Sequence, residues 1–190
     1  ICSEQKITGF PTLKIFRVSN LDNPLNYDGG RDAQGIVEYL KRLTLPPILE
    51  LKPEEVKKHV DGFSSTLVVV ANLPKSHSSF PTIEKVADAL RMDFSFVHVE
   101  GKENSLTIFK NFDEKEVKYT GSLDKLTEAG LTAWIKEENI PLMDEITPNN
   151  YEKYINANKP MAYLFYDNDE MRKTYGEFVQ KVVKPFKNKI

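Results

Sequence analysis

Apolar positions along the chain alternate between two spacings, and the switches between them predict the elements. Thr12 to Val18, with Leu13, Ile15, Phe16 and Val18 apolar, predicts a strand, and a short second strand follows near Asn26-Tyr27. Between Asp32 and Leu43 the spacing changes to three and four, placing Ile36, Val37, Leu40 and Leu43 on one face of a helix. Pro46-Pro47 ends that pattern. Beyond it the chain predicts a strand at Ile48-Leu51, a helix at Pro53-Val60, a strand at Leu67-Leu73 and a helix at Thr82-Arg91. Strands at Phe94-Glu100, Leu106-Lys110 and Val117-Tyr119 and a helix at Thr127-Glu138 complete the series. Helical crossovers make the early strands parallel, while the short Phe112–Lys115 connection makes the last pair a hairpin. The predicted class is therefore α/β, a mixed sheet flanked by helices.

Two stretches repeat at the spacing of a whole globular unit. Lys14-Ile15-Phe16, Tyr27 with Gly29, and Tyr39-Leu40-Lys41 are echoed by Thr107-Ile108-Phe109, Tyr119 with Gly121, and Trp134-Ile135-Lys136. Leu51-Lys52-Pro53 before Leu67-Val68-Val69 is echoed by Ile146-Thr147-Pro148 before the predicted strand Met161–Phe165. The expected organisation is the rear half of one unit over 1–43, a complete unit over 44–140 and the front half of a third over 141–190. Each half unit would expose half a core. Ile1 in place of Met, and a Lys-rich amphipathic segment at the other end, are read as truncation at both ends.

Composition narrows the chemistry. With 26 basic and 28 acidic residues the net charge is -2, which lacks the footprint of a nucleic-acid binder. The longest clear apolar run, Leu67–Ala71, is far short of the roughly 20 residues a membrane helix needs, so no membrane insertion is expected. The single cysteine, Cys2, excludes an internal disulfide, a redox couple or a cysteine-pair metal site within these 190 residues. Beside Ser3 and Glu4 it has no basic neighbour to lower its pKa, and it reads as a structural thiol.

Gly9-Phe10-Pro11-Thr12-Leu13-Lys14-Ile15-Phe16, followed by Tyr27-Asp28-Gly29-Gly30-Arg31, closely resembles the rear half of a catalytic domain of the protein disulfide isomerases. The β-α-β-α-β-β-α order of the complete unit is the thioredoxin arrangement, and the resemblance runs through all three units. Ile140–Glu145 at the last junction resembles fungal members in particular. The resemblance implies an internal fragment of an enzyme of the endoplasmic reticulum lumen. That enzyme forms, breaks and rearranges disulfides without a cofactor or metal. Its implied partners are unfolded polypeptides and an oxidase or other redox partner.

Several residue roles follow from the resemblance alone. Pro11, which by itself reads as a trans turn because only about 5–6% of X-Pro bonds in folded proteins are cis, becomes the cis proline beside the dithiol. Phe10 and Pro11 then belong to the substrate groove. Arg31, by itself a solvated residue near a helix start, becomes a cation that favours the buried thiolate. No catalytic residue is expected within the fragment, the dithiol lying upstream. Ser76-His77-Ser78-Ser79 stands where the complete unit would carry Cys-x-x-Cys, and Glu103-Asn104-Ser105 where it would carry the groove proline, so this unit is expected to be redox-inactive. Ile146, Tyr151 and Ile155, on the first strand and helix of the third unit, read as core by themselves and by resemblance as part of a pocket for unfolded polypeptide.

Three other features read as solvated or satisfied. His77 with Ser78 lacks a Gly-x-Ser-x-Gly elbow and reads as a satisfied polar side chain. Asp167-Asn168-Asp169-Glu170 lacks the glycine of a calcium loop and reads as a helix start. The lysines at 181, 184, 187 and 189 read as a wet helix face. The competing function is a redox-inactive chaperone or calcium-storage scaffold of the same architecture. A Cys-Gly-His-Cys upstream of Ile1 would separate the two.

Overall fold

The computed structural model describes residues 3–5, 7–17, 20–27, 31–62, 67–101, 103–147, 150–157 and 159–187. Cys2, Val18, Gly29, Pro148 and Lys189 lie outside the described residues. The chain divides into two compact units, residues 1–45 and 46–190.

In the first unit, β1 (Lys14–Arg17) pairs antiparallel with β2 (Asn20–Asn26), Lys14 opposite Asn26 and Ile15 opposite Leu25. Helix α1 (Ala33–Thr44) starts where Asp32 accepts a 2.8 Å hydrogen bond from the Gly35 amide, satisfying one of the orphan donors of the first turn. Its last turn carries Lys41 and Arg42, the favourable sign for that end of the helix dipole. The predicted apolar stripe is present but only half covered, with Val37 and Leu40 exposed.

The second unit is built on a five-stranded sheet ordered β3-β5-β4-β6-β7, comprising Leu49–Glu50, Ser95–Val99, Val68–Asn72, Ser105–Phe109 and Glu116–Lys118. The pairings β3-β5 and β4-β5 are parallel, and β4-β6 and β6-β7 antiparallel. This is the mixed sheet predicted from the connections. Helices α2 (Pro53–Gly62), α3 (Phe80–Leu90) and α4 (Glu128–Glu138) flank it.

The apolar run at β4 is continuous because both faces of the sheet are covered. Val69 and Ala71 join Ile83, Val86, Ala87 and Leu90 of α3 and Leu131 and Ile135 of α4 in the main core. Val68 and Val70 point the other way, toward Val56 and Val60 of α2. Trp134 is half-buried against the main core, with its ring edge-on to Tyr119 at 5.1 Å. The β6-β7 turn closes through the Lys110 amide on the Lys115 carbonyl, and Asp113 within it holds a left-handed φ of 50°.

Residues 141–187 depart from the prediction. Helices α5 (Tyr151–Asn156) and α6 (Asp169–Val183) form, and Asn168 caps α6 through the Met171 amide, as its sequence predicts. The strands expected at Ile146-Thr147 and at Met161–Phe165 do not form among the described residues. Their sequence has strand character, but a strand also needs a neighbour for its backbone groups, and among the described residues none pairs with them. Tyr163 and Phe165 stay exposed, at 56% and 87%. The reading of the C-terminal lysines as a wet face holds for Lys181 and Lys184, which are exposed, and is corrected at Lys187, which is hydrogen-bonded to Glu114 at 2.8 Å with only a fifth of its side chain exposed.

Candidate functional site

The loop before β1 carries the first group of candidate residues. The Phe10-Pro11 peptide bond is cis, and Phe10 is 84% exposed. Thr12 Oγ1 donates to the Gly9 carbonyl at 2.6 Å, and Arg31 Nη2 donates to the Pro11 carbonyl at 3.0 Å. Pro11 and Arg31, 20 residues apart in sequence, are thus brought together by the hairpin and the start of α1. Phe10, by contrast, presents its ring to solvent.

The second group stands between β4 and α3, where a thioredoxin-type dithiol would sit. His77 Nδ1 lies 2.8 Å from Ser79 Oγ and accepts from the Ser79 amide at 3.2 Å. Ser78 Oγ donates to Asp124 Oδ1 at 3.1 Å, and His77 Nε2 approaches the same carboxylate at 3.7 Å. The set contains the residue types of a hydrolytic triad, but the hydroxyl beside His77 belongs to Ser79, which is 3% exposed, and the exposed Ser78 hydroxyl is bonded to Asp124. It ties down the loop and the entry to α3, the satisfied role expected of His77.

The third group is in the stretch that leads into α5. Tyr151 and Ile155 are four residues apart on that helix and so share a face, half-exposed at 49% and 45%. Ile146, 42% exposed, lies in the turn before the helix rather than on a strand. Tyr154, buried on another face, donates to Asp144 Oδ2, and Asn150 ties the turn through the Thr147 amide at 2.7 Å and the Glu145 carbonyl at 2.8 Å. Burial, with Asp144 beside the hydroxyl, holds the Tyr154 phenol well above its ordinary range.

A residue that the sequence patterns treated only as part of a strand has a defined chemical setting. His98 on β5 is fully buried, with Nδ1 at 2.6 Å from Glu50 Oε2 and Nε2 at 2.8 Å from the Leu73 carbonyl. The Phe80 ring meets it edge-on at 4.9 Å, and Lys75 pairs with the other Glu50 oxygen at 3.0 Å. Partial burial would raise the Glu50 pKa, but the hydrogen bonds from His98 and Lys75 outweigh it and hold the carboxyl below its ordinary value of 4.5.

A folded-state pKa below the unfolded one stabilises the fold above the unfolded value. That contribution is lost as the pH falls through the folded value. Glu50→Gln should therefore lie below the parent chain in stability at neutral pH, with the gap closing below about pH 4.3. Urea unfolding across the acid range tests this, and a gap independent of pH would refute it. Among the described residues no group of three or more His, Cys, Asp or Glu side chains is placed to hold a metal ion. Among the described residues no helix is long and apolar enough to cross a membrane.

Comparison with known proteins bears on these sites. Residues 72–190 match the model of a family described as a thioredoxin-like domain. The protein disulfide-isomerase of Aspergillus niger is 31% identical over 202 residues, an alignment covering 100% of this chain and 38% of that protein. The protein disulfide-isomerase of Aspergillus oryzae is 31% identical over 198 residues with the same coverage. This chain thus spans 38% of the length of these relatives. Human ERp44, crystal form II, superposes with a TM-score of 0.56 at 20% identity over 97% of this chain and 51% of that one, a likeness of fold. With the five-stranded mixed sheet and its flanking helices, these matches establish that the chain belongs to the thioredoxin-like family and is similar over its whole length to fungal protein disulfide-isomerases.

Proposed function

We propose that the chain is an internal part of a protein disulfide isomerase of the endoplasmic reticulum lumen, which rearranges disulfides by thiolate attack through mixed disulfides. The observation that carries this reading is the alignment of the entire chain with fungal members of that enzyme class. On this reading residues 1–43 end a catalytic domain, 44–140 form a redox-inactive domain and 141–190 begin a peptide-binding domain. The distribution of apolar surface supports the division. Among the described residues the exposed large hydrophobic side chains fall within 10–40 or 146–186, and the one exception within 44–140 is Leu45, at its very start.

The cis Phe10-Pro11 bond and the exposed Phe10 ring support a role as one wall of the substrate groove. Arg31, held at the Pro11 carbonyl, would be the cation that favours the resolving thiolate of the parent enzyme. Ile146, Tyr151 and Ile155 contribute part of an apolar surface for unfolded polypeptide. Each such side chain, when covered, contributes roughly 1.5–3 kcal/mol, which suits weak, sequence-tolerant binding. The partners are unfolded polypeptides and, for the parent enzyme, a redox partner.

The chain contains a single cysteine, so it should recover no activity from scrambled ribonuclease above an uncatalysed control. In the same preparation, titration with an unfolded apolar peptide should move the amide resonances of residues 146–155. Recovery of ribonuclease activity would sink the assignment of the dithiol to the parent. Unmoved resonances would sink the peptide surface.

A further inference from the structure

The contacts between residues 141–187 and the five-stranded sheet domain are sorted by sign. The β6-β7 turn and the end of α4 bring the carboxylates of Asp113, Glu114, Glu137 and Glu138 to that contact. The facing segment supplies lysines and one amide. Lys159 pairs with Glu137 at 3.1 Å. Lys184 approaches Glu114 at 3.8 Å, and Lys187 bridges Glu114 at 2.8 Å and Glu138 at 3.2 Å. The Leu142 amide donates to Asp113 Oδ2 at 2.9 Å. The left-handed turn at Asp113 thus presents its carboxylate to the incoming chain.

No side chain is buried over residues 159–187. Helix α6 has no buried residue, and Phe178, Val182 and Phe186 remain 64%, 50% and 49% exposed. We propose that Glu114, Glu137 and Glu138 form an acidic docking edge on which residues 159–187 are held by ion pairs, a clamp that opens and closes with ionic strength. The pKa directions agree with it. The Lys187 hydrogen bond holds Glu114 below the ordinary carboxyl range, and Glu114 and Glu138 hold Lys187 above its ordinary value although burial pulls it down.

A clamp of this kind has a signature that an apolar seam lacks. Partly exposed pairs are screened as the Debye length shrinks from about 10 Å at 0.1 M salt to about 3 Å at 1 M, whereas salt leaves apolar burial intact or strengthens it. Docking therefore sets the position of the segment at low salt and frees it at high salt.

Amide hydrogen exchange on the whole chain, read separately over residues 151–183 and 68–109, tests this. Raising NaCl from about 0.05 M to about 1 M should speed exchange over 151–183 by about tenfold and leave 68–109 unchanged. Glu137→Lys should give about fivefold at low salt. Lys159→Glu, placed in a stretch without regular structure, should do the same without touching α4. The double variant E137K/K159E should return exchange over 151–183 toward the parent rate, a rescue that general misfolding would not produce. Exchange over 151–183 that ignores salt, or a double variant no slower than the single ones, overturns the clamp.

Discussion

Replacing Glu138 with leucine should cost the sheet domain about 3–5 kcal/mol, the largest single effect expected in this chain. Lys110 Nζ lies 2.5 Å from Glu138 Oε2, its side chain wholly buried and that of Glu138 only 7% exposed. The ammonium also donates to the Glu138 carbonyl at 3.3 Å and sits over the Phe112 ring at 5.1 Å. With the carboxylate gone, a full charge remains in a dry site without its counter-ion. Lys110→Met should be milder, because Glu138 keeps Lys187. The double variant K110M/E138L, with both charges removed, should recover most of the loss. Urea unfolding of all four chains measures the coupling. Additive losses in the double variant would show that the two side chains act independently.

Leu131→Ala should rank next, at about 2–5 kcal/mol. Leu131 is 0% exposed and packs from α4 into the cluster formed by α3 and the sheet, so truncation leaves a cavity between elements that cannot collapse onto it. Val37→Ala on α1 provides the contrast. Its side chain is already 48% exposed, and its removal should change stability by less than about 0.5 kcal/mol. Equal losses from the two variants would contradict the concentration of the core in residues 46–140.

Much of the sheet domain was legible because each local signal agreed with its neighbours. The run around Val69 is long enough for one strand and too short for a helix. Asp32, Thr127 and Asn168 each start a helix by accepting an amide hydrogen bond three residues on. The four residues from Phe112 to Lys115 leave room only for a reversal. What failed to appear from the sequence depends on partners distant along the chain. Met161–Phe165 reads as a strand, yet strand formation is a property of pairs, and among the described residues none pairs with it.

The candidate sites show the same division. The cis bond at Phe10-Pro11 follows from the resemblance of the surrounding motif and not from the residues alone. His98 looked like one more position in a strand, because its partners Glu50 and Leu73 lie 48 and 25 residues away. Lys187 looked solvated because its acceptor Glu114 precedes it by 73 residues. A helical periodicity can indicate a polar face, but it carries no record of what another element sets against that face.

Trp134 is the sole tryptophan of the sequence. Because its indole lies half-buried beside Tyr119, at the junction of α4 with the end of the sheet, intrinsic emission excited at the red edge of the aromatic band reports on that junction alone. The chain thus carries a native optical probe of its sheet domain. A denaturation curve followed by this light would track residues 46–140, while loosening confined to residues 1–45 would pass without a change in colour.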